Sequence, residues 1–403
     1  MSEEPGGKRV SWVELYFDLI FVFAVSETTH VMVNDPHWAG FGRALALFIP
    51  LWWTWIGFVV LYNRQYEDRI SQRLFVLAGT LPCAVAAVET HAAATGNVAA
   101  FVLALAAARL VLALAFAFTS DQGKQVAIGY GVSTVAFAVS ALVPGPWRYL
   151  LWAFALIQEA GFLLLRNGEE RKRGKERSSR TEAQRAMLEP PADPARRVDA
   201  AHLTERFGLM IIILLGEVVV AVGSSAVEVS VHDLRYWLGL LGGLVLAACL
   251  WWIYFTAAAP ISEYVLRASG GNPSMAYGLY AGGHLTPAFA LLTMAAGMSL
   301  ALSGEASPAA AWFITGGLAA FLVGSRVMVA DGRGRSGRLL LAAVVVATVC
   351  LAFLRPLVST AGVVLVTAGW AGAIGAYVTW RLPGRLESIA ADPLAFFRGT
   401  PAK

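Results

Sequence analysis

The sequence predicts an all-α polytopic membrane protein with about twelve transmembrane helices in two parallel six-helix repeats. Three observations lead there. Of 403 residues, 57% are hydrophobic and 14% charged, whereas an ordinary soluble domain is about 25% charged, and the mean hydropathy is +0.62. Apolar runs close to the roughly 20 residues that a helix needs to cross a bilayer recur along the chain. Landmarks of the first part return in the second at a nearly constant spacing.

In chain order, the polar start holds Lys8 and Arg9 just before the run from Trp12 to Val33. This resembles the basic start of a signal peptide, but the run is too long and too acidic and no small-residue cleavage site follows. The first helix is therefore expected to stay. Apolar runs follow at about 41–62, 72–94, 98–118, 126–143 and 147–165, which makes six spans. Residues 166–201 are dense in both charges and end in a Pro-rich stretch, which predicts a solvated linker. Six more runs lie at about 204–226, 235–256, 274–301, 308–328, 338–354 and 360–380. The expected domains are a first half over 1–165, the linker over 166–201, a second half over 202–381 and a tail over 382–403.

Orientation follows from the positive-inside rule. With a cytoplasmic N-terminus, the inner segments hold Lys8, Arg9, Arg64, Arg69, Arg73, Lys124, the basic linker, Arg267, Arg333, Arg335, Arg338 and the tail, while the outer side keeps Arg43, Arg148, Arg235 and Arg355. Both termini and the linker are thus expected inside, in an inner (plasma) membrane. The basic balance, with pI near 9.0, follows from these loops, and nucleic acid is set aside as a partner.

Phe17, Leu19 and Glu27 recur 190 residues later as Phe207, Leu209 and Glu217. Leu51, Trp52, Trp53 and Trp55 answer to Leu250, Trp251, Trp252 and Tyr254 at an offset of 199, a difference that the preceding loop can absorb. An even number of spans separates the copies, so the repeat is parallel. A third pair is Pro82 and Pro287.

SWVELYFDLIFVFAVSE at the start, LWWTW followed by YNRQYED, ERFGLMIIILLGE and the later GGHLTP together resemble the bacterial low-temperature-requirement A family. The resemblance runs from about Val10 to Trp380. It implies a multispanning membrane protein and no particular biochemical activity.

Ionisable groups inside spans are expensive and mark candidate sites. Glu14 and Asp18, four apart, share one helix face. They read either as an interfacial pair favoured by the helix dipole or, for Asp18, as an inward group paired with a cation such as Arg206. Glu27 and His30 share a face deeper in the same run. Glu217, mid-span behind Gly216, is the leading candidate for taking and giving a proton, with a protonated, merely hydrogen-bonded acid as the alternative. His284, between glycines and Pro287, is either a site residue or a structural hydrogen bonder. Glu89 and His91 come next, with Arg109 as counter-charge for one of these acids, and Glu159 is ambiguous.

His30, His91 and His284 with Glu27 and Glu217 have no fixed ligand spacing, so no metal is assigned, and no cofactor. Cys83, Cys249 and Cys350 read as small core hydrophobes. Trp52, Trp53, Trp55, Trp251, Trp252 and Tyr254 form either interfacial packing or the wall of a cavity that attracts cations. The expected partners are the lipid bilayer and a small-molecule or lipidic substrate. The leading function class is a secondary transporter or permease with intramembrane carboxylates as proton or cation sites. The alternatives are an embedded enzyme using a carboxylic acid on a lipid or isoprenoid, and a structural or stress-adaptation protein.

Overall fold

The computed structural model describes residues 10–63, 70–118, 121–163, 189–191, 197–228, 233–303, 307–326 and 335–391. Among these residues the secondary structure is helical, with no strand. Most of the expected charged linker, the end of the tail, Lys8, Arg9, and residues 64–69 of the YNRQYED stretch lie outside the described residues.

Two compact units form, one from Met1–Val31, Ala39–Ser178 and Ala201–Arg206, the other from Met32–Trp38, Ser179–Ala200 and Phe207–Lys403. The first contains most of α1 (Trp12–Asn34), then α2 (Trp38–Asn63), α3 (Ile70–Val88), the short α4 (Thr90–Ala94), α5 (Ala99–Ala117), α6 (Asp121–Ser140) and α7 (Trp147–Leu163). It also takes the opening turns of α8 (Ala200–Glu228), whose remainder belongs to the second unit. In the first unit α2 is the central rod: 72% of its most apolar window is buried, against 39% for α3. Pro50 within α2 cannot donate a backbone hydrogen bond, and Thr54 bonds back to the Pro50 carbonyl at 2.7 Å.

The second unit continues with α9 (Leu234–Ile253), which runs through a π-helical turn, Tyr254–Ala258, into α10 (Ala259–Ala268). Asp233 caps α9 by accepting from the Tyr236 backbone N–H. Gly271 adopts φ +71° where the chain turns, and a Cβ there would press on the Val198 backbone, whose N–H donates to the Gly271 carbonyl at 2.9 Å. Asn272 then caps α11 (Pro273–Ala276), a second π-helical turn spans Tyr277–Ala281, and α12 (Leu285–Leu302) follows. Ser307 caps α13 (Pro308–Gly324), and proline opens both α11 and α13, where its missing N–H has no intrahelical role. The chain closes with α14 (Arg335–Cys350) and α15 (Arg355–Ala391).

Between them the path reverses. Ser359 has φ 64° and ψ 170° inside α15, and Trp370 donates to the Thr348 hydroxyl at 2.9 Å. These two residues lie equally far from Ser359 on either side, so the chain folds back there.

Eight helices among the described residues are long and apolar enough to cross a membrane, with Pro308–Gly324 a shorter apolar one. The coarse expectation therefore stands: an all-helical chain with several membrane-spanning helices.

Candidate functional site

Two pairs of residues, each four apart, meet in the first unit. Glu14 and Asp18 share the inward face of α1, and His202 and Arg206 share the facing side of the first turns of α8. Spacing of four puts each pair on one helix face, and all four side chains are buried. Arg206 grips Asp18 bidentately, Nη1 to Oδ2 at 2.8 Å and Nη2 to Oδ1 at 2.9 Å. This planar fork is the strong form of a carboxylate contact. Trp55 of α2 donates its indole N–H to the same Asp18 Oδ1 at 2.8 Å, and its ring lies 5.8 Å from the Arg206 guanidinium carbon. Glu14 Oε1 stands 3.4 Å from both His202 Nε2 and Arg206 Nε. Its other oxygen accepts from the Ser11 backbone N–H at 2.9 Å and the Ser11 hydroxyl at 3.0 Å. At the end of α2, the Asn63 side-chain amide donates to His202 Nδ1 at 3.3 Å.

Asp18 thus faces inward and pairs with Arg206. Glu14 is buried beside it rather than placed at a solvated interface. His202 was missed, because a single histidine in the AAHLTER stretch looks like the polar lead-in to a span. Its signal was the spacing of four to Arg206, which mirrors Glu14 to Asp18.

A second buried ion pair lies elsewhere in the first unit. Arg109 Nε donates to Glu159 Oε1 at 2.8 Å, and Nη1 to the Thr54 hydroxyl at 3.0 Å and the Leu105 carbonyl at 3.3 Å. The guanidinium carbon sits 4.0 Å from the Phe137 ring centre. Thr54 spends its only hydrogen on Pro50, so a lone pair is left to accept from Arg109. Neither Glu89 nor His91 is the partner of Arg109. Glu89 sits half-buried at the join of α3 and α4, and His91 is exposed. The counter-charge is Glu159, whose place on α7 gave no hint that its face turns toward α5.

In the second unit, His284 precedes α12 and is buried. Its Nδ1 lies 2.9 Å from the Leu279 carbonyl, which can only accept, so that nitrogen carries the hydrogen. Nε2 is hydrogen-bonded to the Tyr254 hydroxyl at 2.8 Å. Tyr280 stacks on the imidazole at 5.2 Å and Phe207 leans on it at 5.0 Å. Both tyrosines come from the π-helical turns. Both ring nitrogens of His284 are thus engaged.

The remaining expected site residues are scattered. Glu217 is buried in α8, 8% exposed, and among the described residues nothing lies within 4 Å of a Cβ built on the neighbouring Gly216. Glu27 is half-buried and His30 exposed, 3.8 Å apart. The aromatic wall divides. Trp52 and Trp55 are buried with ring centres 5.2 Å apart, Trp53 is half-buried, and Tyr254 is buried against His284. Trp251 and Trp252 are 46% and 48% exposed, so they form no interior wall, and Trp252 hydrogen-bonds Thr379 at the surface. The reason is cover. The span running through α9 and α10 buries 44% of its most apolar window, against 72% for α2, so the same LWW motif meets neighbours in one unit and the outside in the other. Among the described residues no group of three or more His, Cys, Asp or Glu is placed to hold a metal.

Apolar helices long enough to span a bilayer, with ionisable side chains buried among them, define a multi-pass membrane protein. The particular family follows from the sequence match. The model of the bacterial low temperature requirement A protein (LtrA) family matches residues 9–374, and the chain belongs to that family. It is also similar to an uncharacterized protein of Rhizobium meliloti (strain 1021), 22% identical over 310 residues, which cover 75% of this chain and 72% of that one. No solved structure matches.

Proposed function

We propose that this protein is a secondary transporter or permease in which the buried Glu14, Asp18, His202 and Arg206 cluster binds a proton or cation. That cluster carries the reading. Four ionisable groups buried at the start of two apolar helices are far more than anchoring requires, and each is costly at membrane depth. Glu27 and Glu217, at corresponding places in the two copies, are assigned as further stations on the pathway, and Trp52 and Trp55 as its aromatic side.

The proposed layout is twelve spans in two parallel six-helix repeats, over 1–165 and 202–381, with 166–201 as a cytoplasmic linker, 382–403 as a cytoplasmic tail and both termini inside. Helical segments at each of the twelve apolar runs support the count, as does the chain reversal at Ser359. The distribution of Lys and Arg supports the orientation. Packing inside the units supports the repeat. In the first, Phe58 of α2 packs on Phe17 at 4.6 Å, and a Cβ on Gly79 of α3 would collide with the Phe58 ring. In the second, the offsets of 199 and 205 turn Phe58 into Ala257 and Gly79 into His284, and it is His284 that packs on Phe207. One ring fills the equivalent place in each copy, and the position that does not supply it is small.

The test is proton flux in proteoliposomes loaded with a pH-sensitive dye, across a panel of ionic and neutral solutes, for wild type, Asp18→Asn and Glu217→Gln. Solute-dependent flux lost in Asp18→Asn is the expected result. Absence of flux for every solute, with chemical conversion of an added lipid or isoprenoid seen by mass spectrometry, would replace the transporter with an enzyme.

A further inference from the structure

Arg109 and Glu159 make half of a fork. On a guanidinium, the Nε hydrogen and the nearer Nη2 hydrogen point the same way in one plane, so a carboxylate approaching from that side can take both. Here Nε reaches Glu159 Oε1 at 2.8 Å, yet Nη2 and Glu159 Oε2 are both buried and neither hydrogen-bonds any described residue. In the same unit Arg206 and Asp18 close both arms of theirs, at 2.8 and 2.9 Å. Turning Arg109 to close its second arm would pull Nη1 from the Thr54 hydroxyl and the Leu105 carbonyl, and the plane from the Phe137 face 4.0 Å away.

The surroundings are polar. Gln158, beside Glu159 on α7, donates to the Gly129 carbonyl at 2.7 Å and to the Ser133 hydroxyl, while its Oε1 is buried without a hydrogen bond among the described residues. Ser133 donates in turn to the Ala155 carbonyl at 3.2 Å. The Tyr130 hydroxyl reaches α2 beside Gly57, where a Cβ would lie 2.8 Å from it, and Gly57 is one helical turn from Thr54. Buried polar atoms in folded proteins are paired, and where no protein group serves, an ordered water does.

We propose that a water molecule buried in the first unit completes the Arg109–Glu159 pair, accepting from Nη2 and donating to Glu159 Oε2. Water suits the place because one face is a donor and the other an acceptor. A metal cation would be repelled by the guanidinium and an anion by the carboxylate. The site is separate from the Glu14, Asp18, His202 and Arg206 cluster and does not rest on the transporter reading. The pair is then a hydrated joint between α5 and α7 rather than a dry clamp.

The experiment is a crystal structure of the full chain grown from a lipid phase, at a resolution that shows ordered water. A density peak roughly 2.7–3.2 Å from both Nη2 and Oε2 is the expected result. Direct bonding of Nη2 to Oε2, either atom bonded to another protein group, no peak where other buried waters are seen, or a peak at the roughly 2.0–2.6 Å of a bound metal ion would each overturn the proposal. A second measurement keeps the bilayer: magnetisation transfer from water to labelled arginine nitrogens, by NMR in nanodiscs of deuterated lipid. Arg109 is assigned by the signal lost in Arg109→Leu with Glu159→Leu, and exposed Arg235 is the reference. Transfer to Arg109 as well as to Arg235 is expected, and transfer to Arg235 alone would overturn the proposal. Should the double variant fail to fold, the wild-type crystal structure decides alone.

Discussion

Replacing Glu159 with leucine should be among the most damaging single changes in the first unit, and removing Arg109 as well should repair much of the harm. Arg109 is wholly buried and Glu159 is 1% exposed. In Glu159→Leu the guanidinium keeps the Thr54 hydroxyl, the Leu105 carbonyl and the Phe137 face, but loses its carboxylate partner at 2.8 Å. Breaking a buried pair from one side costs about 3–5 kcal/mol, because the surviving charge is left uncompensated. Thr54→Val removes one neutral acceptor and should cost about 0.6 kcal/mol, the average for hydrogen bonds between membrane helices. Replacing both charges by apolar groups of similar volume is often near neutral, so Arg109→Leu with Glu159→Leu should lie well above either single variant. The assay is a double-mutant cycle on unfolding in mixed detergent micelles, followed by tryptophan fluorescence. A double variant as unstable as the sum of the singles would refute the pairing, as would a loss below about 1 kcal/mol for Glu159→Leu.

Two further outcomes can be measured on the same preparation. Gly79→Ala drives a methyl into the Phe58 ring and should destabilise by about 1–3 kcal/mol, the usual effect of overpacking; Phe58→Leu in the same chain should relieve part of it, and additive losses would show that the two positions do not share a space. Trp251→Leu, on a side chain facing outward, should change stability by no more than about 0.5 kcal/mol, whereas Trp55→Leu removes a donor to Asp18 and should lower both stability and proton flux. Equal effects of the two tryptophan changes would contradict the division of the aromatic groups.

What could be read in one dimension was read correctly where the property is itself one-dimensional. Membrane character depends on the length and polarity of a run, and family membership on motifs kept in order, so both were present in the string of residues. The presence of charge inside spans was legible too, since Asp18 and Arg206 stand within or beside apolar runs whatever surrounds them. Partner choice was legible only once, for Asp18 with Arg206, where the two positions lie at matching ends of related spans.

Elsewhere the tertiary structure decided. Arg109 meets Glu159 rather than Glu89 or His91, because an ion pair between helices needs the right rotation about each axis and the right height along it, and neither quantity is written in hydropathy. Trp52 is enclosed while its counterpart Trp251 faces outward, because burial depends on whether other helices cover that side. His202, unremarked in the sequence, joins the cluster because a spacing of four on α8 meets a spacing of four on α1. The sequence by itself determined that helices would cross a membrane carrying carboxylates; the packing of those helices determined which carboxylates have partners, since pairing is a property of faces that only assembly brings together.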